Sequence, residues 1–322
     1  MTVAIIGAGI AGLACARALL AHGIATEVFE RGRASGGRCA TRRTDHGAFD
    51  HGAQSFTACN PSFAHWLSGL PAGTVARWQP RLADIDRRST RPRPDSEERY
   101  VALPGMSALA HALAPADTPR LQTRIVALER ELRGWQLRDE HEVAHGPYAA
   151  VAVAVAADQA LPLLEPWPEF AQQARRGAHA PCWALMAAFD PPVDVAFDAA
   201  FVADSPLAWI ARDSSKPGRA HGERWVAHSS AGWAAARLDC APAEVTGLLV
   251  AALEAVLGQR ATYAVAHRWR YAQPAAPLRV GCLWDPALAL GAGGDWCADG
   301  LIEGAFLSGN ALGDVIARTA HA

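Results

Sequence analysis

The chain has 322 residues, of which 51% are apolar and 19% charged, with a formal net charge of −2, enough chain for about two domains and a sizeable core. A charge so near zero gives no electrostatic reason to expect nucleic acid or an anionic membrane as partner. Seven cysteines (Cys15, Cys39, Cys59, Cys182, Cys240, Cys282, Cys297) show no CxxC or paired spacing, which speaks against a disulfide framework or zinc site and for reduced thiols.

Thr2–Ile6 is a short apolar run of the kind that forms a buried parallel strand, rather than a secretory signal, and a cytoplasmic location is expected. Gly7, Gly9 and Gly12 follow in GxGxxG spacing, and residues 13–21 continue as an apolar, Ala-rich helix. Gly23 suits a helix end, Ala25–Phe29 reads as a second strand, and Glu30 stands 18 residues after Gly12. Strand, glycine turn, helix, strand and acid in this order predict a dinucleotide site. The glycines allow a tight turn and close approach of a pyrophosphate, and the acid accepts hydrogen bonds from ribose hydroxyls.

Next, Ser35-Gly36-Gly37 leads into Arg38, a flexible turn that returns a cation toward the nucleotide phosphates. Asp50 to Gln54 is a polar loop, Ser55-Phe56-Thr57 an alternating stretch, and residues 61–67 a helix with Asn60 as cap and Pro61 at its first position. Residues 72–99 read as surface strands and loops. Their arginines are interrupted by Asp84, Asp86, Asp95, Glu97 and Glu98, a solvated pattern. A strand over 100–103 precedes a helix capped by Ser107, and residues 124–129 and 134–138 suggest a hairpin or meander. Residues 151–155 form another buried strand, ending at Asp158.

From residue 161 to 276 tryptophans become frequent and segments such as 183–189 and 225–229 alternate, predicting an antiparallel sheet with one clear helix, Pro242–Leu257, closed by Gly258. Residues 289–295 read as strand then turn, and 300–322 as one long helix. The expected class is α/β, a Rossmann-type dinucleotide-binding domain with a second α+β substrate domain on a mixed or antiparallel sheet. Residues 1–70, 100–160 and 278–322 form the first, and 71–99 and 161–277 the second.

The GxGxxG with Glu30, the SGGR turn, DHGAQSFTA, YVALPGMSALAHAL, ADSPLAWIARDSSKPGR, AHRWRYAQP and GDWCADGLIEGAFLSG, in that order, resemble the bacterial renalase-like branch of the amine-oxidase superfamily. The resemblance implies non-covalent FAD and oxidation of dihydro-NAD(P) isomers of the 1,2-dihydronicotinamide type. Hydride passes to flavin N5, and a quinone or O₂ accepts the electrons. A flavin amine oxidase or desaturase of the same fold, or a non-catalytic flavin-bound redox sensor, are the alternatives. The implied cofactor contacts are Gly7, Gly9, Ile10, Ala11, Gly12, Glu30, Arg31, Gly37, Arg38, Ala53, Gln54, Ile125, Gly294, Asp295, Leu301 and Ile302. The implied substrate contacts are Gln54, Ser55, Phe56, Thr57, Arg93, Pro94, Cys182, Tyr271, Trp296 and Leu301, with Trp269 a further aromatic neighbour. Leu301 and Ser55 depart from the family pattern, which carries arginine and an aromatic residue at those places. No side chain is required as a catalytic base, because the product gains aromaticity and the flavin carries the chemistry.

Among the remaining polar residues, His228 reads as a hydrogen-bonded structural histidine before a substrate contact, and His46 and His51 as loop histidines before flavin partners. His141 and His145 lack a third ligand for a metal, and Cys182 reads as a small buried hydrophobe.

Overall fold

The computed structural model describes residues 1–94, 96–114 and 119–320. Its organising element is a five-stranded sheet in the order Leu283–Asp285, Leu290–Ala292, Ala150–Val153, Thr2–Ile6, Ala25–Phe29. All neighbours are parallel except the first pair. Val3, Ala4, Ile5, Val151, Ala152 and Val153 are fully buried. That is why these runs are apolar without alternation: helices cover both faces of the sheet.

On one face lie the helix Ile10–Ala21 and the terminal helix Ile302–Ala320, packed against each other. A β-carbon on Gly309 would come 2.1 Å from the Ala11 carbonyl oxygen, and one on Gly313 2.7 Å from Ala18 Cβ. The two ends of the chain therefore meet backbone to backbone. The other face carries helices Ala157–Leu164 and Pro168–Arg176, whose Ala160, Leu163, Leu164, Phe170 and Ala174 pack with Trp135 and Trp296. Neither helix was expected from the sequence, since Pro162 lies inside the first and both are short. The boundary expected at residue 160 falls within the first of them. The antiparallel meander Ile125–Glu131, Gly134–Asp139, Ala144–Tyr148 confirms the alternating segments there and adds a third strand.

A second, seven-stranded sheet runs Tyr263–Pro274, His179–Phe189, Glu223–Ser229, Leu207–Arg212, Ala199–Val202, Leu82–Ile85, Thr90–Arg93. Its neighbours are antiparallel except for the parallel pair Ala199–Val202 with Leu82–Ile85. Helix Pro242–Leu257 supplies Val245, Leu249, Leu253 and Leu257 to a core with Trp183 and Trp225, and Gly258 closes it in the left-handed conformation (φ 70°).

Several local expectations are corrected. Met106, not Ser107, precedes the helix Ser107–Leu113, and no side chain caps it. The strand Ala150–Val153 is shorter than expected, and Asp158 lies in the following helix. In the alternating stretch 55–57, Phe56 alone bridges to Tyr100. The terminal helix begins at Ile302, and residues 321–322 of its expected span, like Asp95, lie outside the described residues. Helix Pro61–Ser68 is as expected, with the Asn60 side chain accepting from the Ser62 N–H at 2.9 Å.

Candidate functional site

At the carboxyl end of the first strand, Gly7 adopts φ 104°, and a β-carbon there would meet the Ala154 oxygen at 2.6 Å. A β-carbon on Gly12 would lie 1.9 Å from the Gly7 oxygen, so helix and turn are in backbone contact. On Gly9 it would meet nothing within 4 Å: the middle of the turn faces open space. The helix begins there with no side-chain cap and no acid in its first turn, and the Leu13 N–H, bonded to the Gly9 oxygen, opens its internal ladder. The N–H groups of Ile10, Ala11 and Gly12 thus have no partner within the helix, and the positive end of its dipole lies beside them.

Glu30 bends back over this turn. Its Oε2 accepts from the Ala8 N–H at 2.9 Å and its Oε1 from the Gly32 N–H at 2.7 Å. Ile125 opens the neighbouring meander, and the Thr123 N–H donates to the Glu30 carbonyl at 2.9 Å. Gln159, with its amide oxygen turned toward Arg31, accepts from both terminal nitrogens of that guanidinium at 2.5 and 2.7 Å. The Gly36 N–H donates to the Ala8 oxygen at 2.8 Å, seating the SGGR turn on the glycine loop, and the Ala53 N–H donates to the Arg38 oxygen at 3.0 Å.

Arg38 then joins the two ends of the sequence. Its guanidinium donates to both carboxylate oxygens of Asp295, at 2.6 and 2.7 Å, and to the Ala272 carbonyl at 3.1 Å. Burial pushes the Asp295 carboxyl up, but Arg38 and His179 outweigh it and hold the group at about 2. His179, unmarked in the sequence, accompanies this clasp. Its Nδ1 lies 3.0 Å from Asp158 Oδ2, and its Nε2 is 3.8 Å from Asp295 Oδ1, buried and without a hydrogen-bond partner. Nearby, the Gly294 N–H donates to Ser308 Oγ at 2.9 Å. The Leu301 N–H donates to Asp299 Oδ1 at 2.9 Å, while the Leu301 side chain is exposed. Ile302 starts the terminal helix.

Gln54 belongs to a second polar centre that sequence spacing does not reveal. Its Nε2 donates to the Asp50 carbonyl at 2.7 Å and its Oε1 accepts from Lys216 Nζ at 3.0 Å. Lys216 also meets Asp213 Oδ1 at 2.5 Å and Asp50 Oδ2 at 3.3 Å, and Arg219 donates to Asp50 Oδ2 at 2.5 Å. Burial pushes the Asp213 carboxyl up, whereas Lys216 and Arg219 outweigh burial at Asp50 and bring its carboxyl down. Against this centre lie His228, His51, His267 and Trp269. Trp269 Nε1 donates to the His51 carbonyl at 2.9 Å, and its ring centroid is 5.1 Å from His51 and 4.5 Å from His267. Burial lowers His51 and His228 to about 4, and His267 moves in the same direction. The rings of His51 and His228 are neutral near pH 7.

The expected substrate residues do not all converge. Cys182, on His179–Phe189 opposite Trp269, is near the second centre, and burial raises its thiol to about 11. Tyr271 shares the strand of Trp269 and is partly exposed. Phe56 is instead a core residue between Phe63 and Tyr100, because the loop turns it inward and leaves Ser55 and Thr57 partly exposed. Trp296 is wholly buried, its Nε1 donating to the Val155 carbonyl at 3.1 Å, and so packs beneath the Gly294 turn. Arg93 lies on the far edge of the seven-stranded sheet, five strands from Cys182, about 24 Å at ~4.8 Å per strand. There it pairs with Asp84 at 2.9 Å, lies over the Phe201 ring, and lines a cavity of about 640 Å³ with Arg77, Leu82 and Phe197. Pro94 follows it, exposed. Arg93 and Cys182 therefore cannot border one ring-sized site. Among the described residues no group of three His, Cys, Asp or Glu is placed to hold a metal, and no helix is long and apolar enough to cross a membrane.

Residues 5–70 match the family model of NAD(P)-binding Rossmann-like domains. The whole chain is similar in fold to several solved oxidases. One is a provisionally assigned protoporphyrinogen oxidase from Exiguobacterium sp. (TM-score 0.81, 13% identity, 98% of each chain covered). Another is cyclohexylamine oxidase from Brevibacterium oxydans (TM-score 0.79, 14% identity, 100% of this chain and 99% of that one). A third is a triple mutant of putrescine oxidase redesigned in its cofactor binding (TM-score 0.78, 14% identity, 99% and 100% covered). The chain shares the fold of these proteins: an α/β nucleotide-binding unit with a second, multi-stranded sheet.

Proposed function

We propose that the chain is an FAD-dependent oxidoreductase that oxidises dihydronicotinamide nucleotides of the 1,2-dihydro-NAD(P) type. Residues 1–70, 100–160 and 278–322 hold the dinucleotide, and 71–99 and 161–277 shape the substrate space. The observation that supports the dinucleotide part of this reading is the meeting of the open Gly9 turn, Glu30 and the Arg38–Asp295 clasp at one end of the parallel sheet; the substrate class rests on the family resemblance. The donor set fits FAD. The N–H groups of Ile10, Ala11 and Gly12 receive the pyrophosphate, Glu30 exchanges its bonds to Ala8 and Gly32 for ribose hydroxyls, and Asp295 and the start of the terminal helix face the flavin end. Binding is non-covalent.

The flavin, when bound, supplies the hydride-accepting N5. This chain's own contribution is to orient and to exclude water. Trp269 and Tyr271 offer flat walls for a dihydropyridine ring held at near-attack distance. His51 and His228, neutral near pH 7, place no charge there. A quinone or O₂ takes the electrons afterwards. A second reading, amine oxidation, is favoured by the likeness of fold to cyclohexylamine and putrescine oxidases.

Anaerobic mixing of the FAD-loaded protein with borohydride-treated NAD, which contains the 1,2- and 1,6-dihydro isomers, separates the two. Rapid bleaching of the yellow colour by this mixture supports the first reading. Bleaching by cyclohexylamine or putrescine alone replaces it with the second.

A further inference from the structure

The buried cluster of Asp50, Asp213, Lys216 and Arg219 has no role in the function proposed above, and all four side chains are at most 2% exposed. Buried ion pairs contribute little net stability, so such a cluster calls for another role. Its hydrogen bonds match in number. The Lys216 ammonium has three donors and meets three acceptors: Asp213 Oδ1 at 2.5 Å, Gln54 Oε1 at 3.0 Å and Asp50 Oδ2 at 3.3 Å. The uncharged member of that set is Gln54. Lys216 holds its oxygen and the Asp50 carbonyl holds one N–H, so a flipped amide would set donor against donor and acceptor against acceptor. The second N–H of Gln54 is left toward His228 Nε2, 3.4 Å away.

His228 Nε2 also lies 3.4 Å from the His51 carbonyl, so its two neighbours ask for opposite tautomers. The amide N–H requires a bare Nε2; the carbonyl would accept from a protonated one. The His51 carbonyl already has a donor in Trp269 Nε1 at 2.9 Å, whereas the Gln54 N–H cannot be withdrawn while Lys216 holds the amide. The bare Nε2 satisfies more of these groups, and the proton resides on Nδ1. That nitrogen has no protein partner among the described residues, and His228 as a whole is only partly buried. Burial opposes a second proton on the ring and, with the nearby Lys216 charge, outweighs the His51 carbonyl, which favours one.

We infer that Lys216 is a positioning residue: by fixing the Gln54 amide it holds His228 in the Nδ1–H tautomer, leaving that N–H to donate to a carbonyl oxygen of a bound ligand, such as a nicotinamide carboxamide. The identity of the ligand rests on the proposed nucleotide reading; the tautomer does not.

Full-length protein labelled with ¹⁵N at its twelve histidines tests the tautomer directly, His228 being assigned by its loss in His228→Gln. The parent shows Nδ1–H at this position. Gln54→Leu, which leaves the ion cluster intact, moves the proton to Nε2. The pair Lys216→Met with Asp213→Asn, which removes one buried charge of each sign, does the same. An Nε2–H parent, or a folded Gln54→Leu that keeps Nδ1–H, overturns the inference. In turnover with borohydride-treated NAD, the paired variant raises KM about fivefold and leaves kcat within about twofold. A moved tautomer with unchanged KM overturns the ligand contact alone, and a parent that never bleaches overturns the nucleotide reading instead.

Discussion

At the glycine turn the polar groups that face outward are main-chain N–H groups, set within six residues of one another by a strand, a tight turn and a helix. At the Gln54–His228 centre they are side chains drawn from residues 50–54, 213–219, 228 and 267–269, and none of these segments predicts the others. The first region needs the absence of side chains at given points; the second needs particular side chains to satisfy one another completely. Substitutions should therefore fail differently: sterically and at once in the first, by loss of charge and hydrogen-bond balance in the second.

The largest expected effect lies in the first region. Gly12→Ala places a carbon 1.9 Å from the Gly7 oxygen, against backbone that cannot move without shifting the helix off the sheet. A loss of more than about 4 kcal/mol of stability is expected, read from the urea midpoint. An unchanged midpoint would break the claim that this turn is a backbone contact.

Acid titration separates the two regions next. His51 sits at about 4 in the folded chain against an ordinary 6.5. The unfolded chain therefore takes up a proton that the folded chain refuses as the pH drops. Its contribution, about 3 kcal/mol, is present above pH 6.5 and lost by about pH 4. Asp295 sits at about 2 against 3.8, so its contribution, about 2 kcal/mol, is present above pH 3.8 and lost on the way to pH 2. Stability measured against pH should flatten in the upper window for His51→Gln and in the lower one for Asp295→Asn. Both variants acting in the same window would contradict the separation.

The smallest effect on stability, and the sharpest contrast with Gly12, belongs to Gly9→Ala. A carbon there meets nothing within 4 Å and the backbone is already at φ −77°, so the midpoint should move by less than about 0.5 kcal/mol. If the proposed placement of the pyrophosphate against that space holds, retention of the dinucleotide through gel filtration should nevertheless fall.

The same contrast explains what the sequence could disclose. Thr2–Ile6, Ala25–Phe29, the helix Pro61–Ser68 and the Pro242–Leu257 helix with its closing Gly258 are local patterns, and they stand where periodicity and capping put them. Nothing in the spacing of Lys216 and Asp213 shows that they meet Asp50 across more than 160 residues of chain. His179 gave no signal either, since its partners Asp158 and Asp295 come from a short proline-bearing helix and from the far end of the chain. The family resemblance implies Phe56 and Trp296 as substrate contacts. Burial, which depends on the way each loop turns, made them core.

The most direct test of the account is the visible spectrum of the purified full-length protein after incubation with FAD and gel filtration. The account predicts a yellow protein that carries flavin in a one-to-one ratio and releases it intact when denatured. A folded protein that elutes colourless after such loading would contradict it.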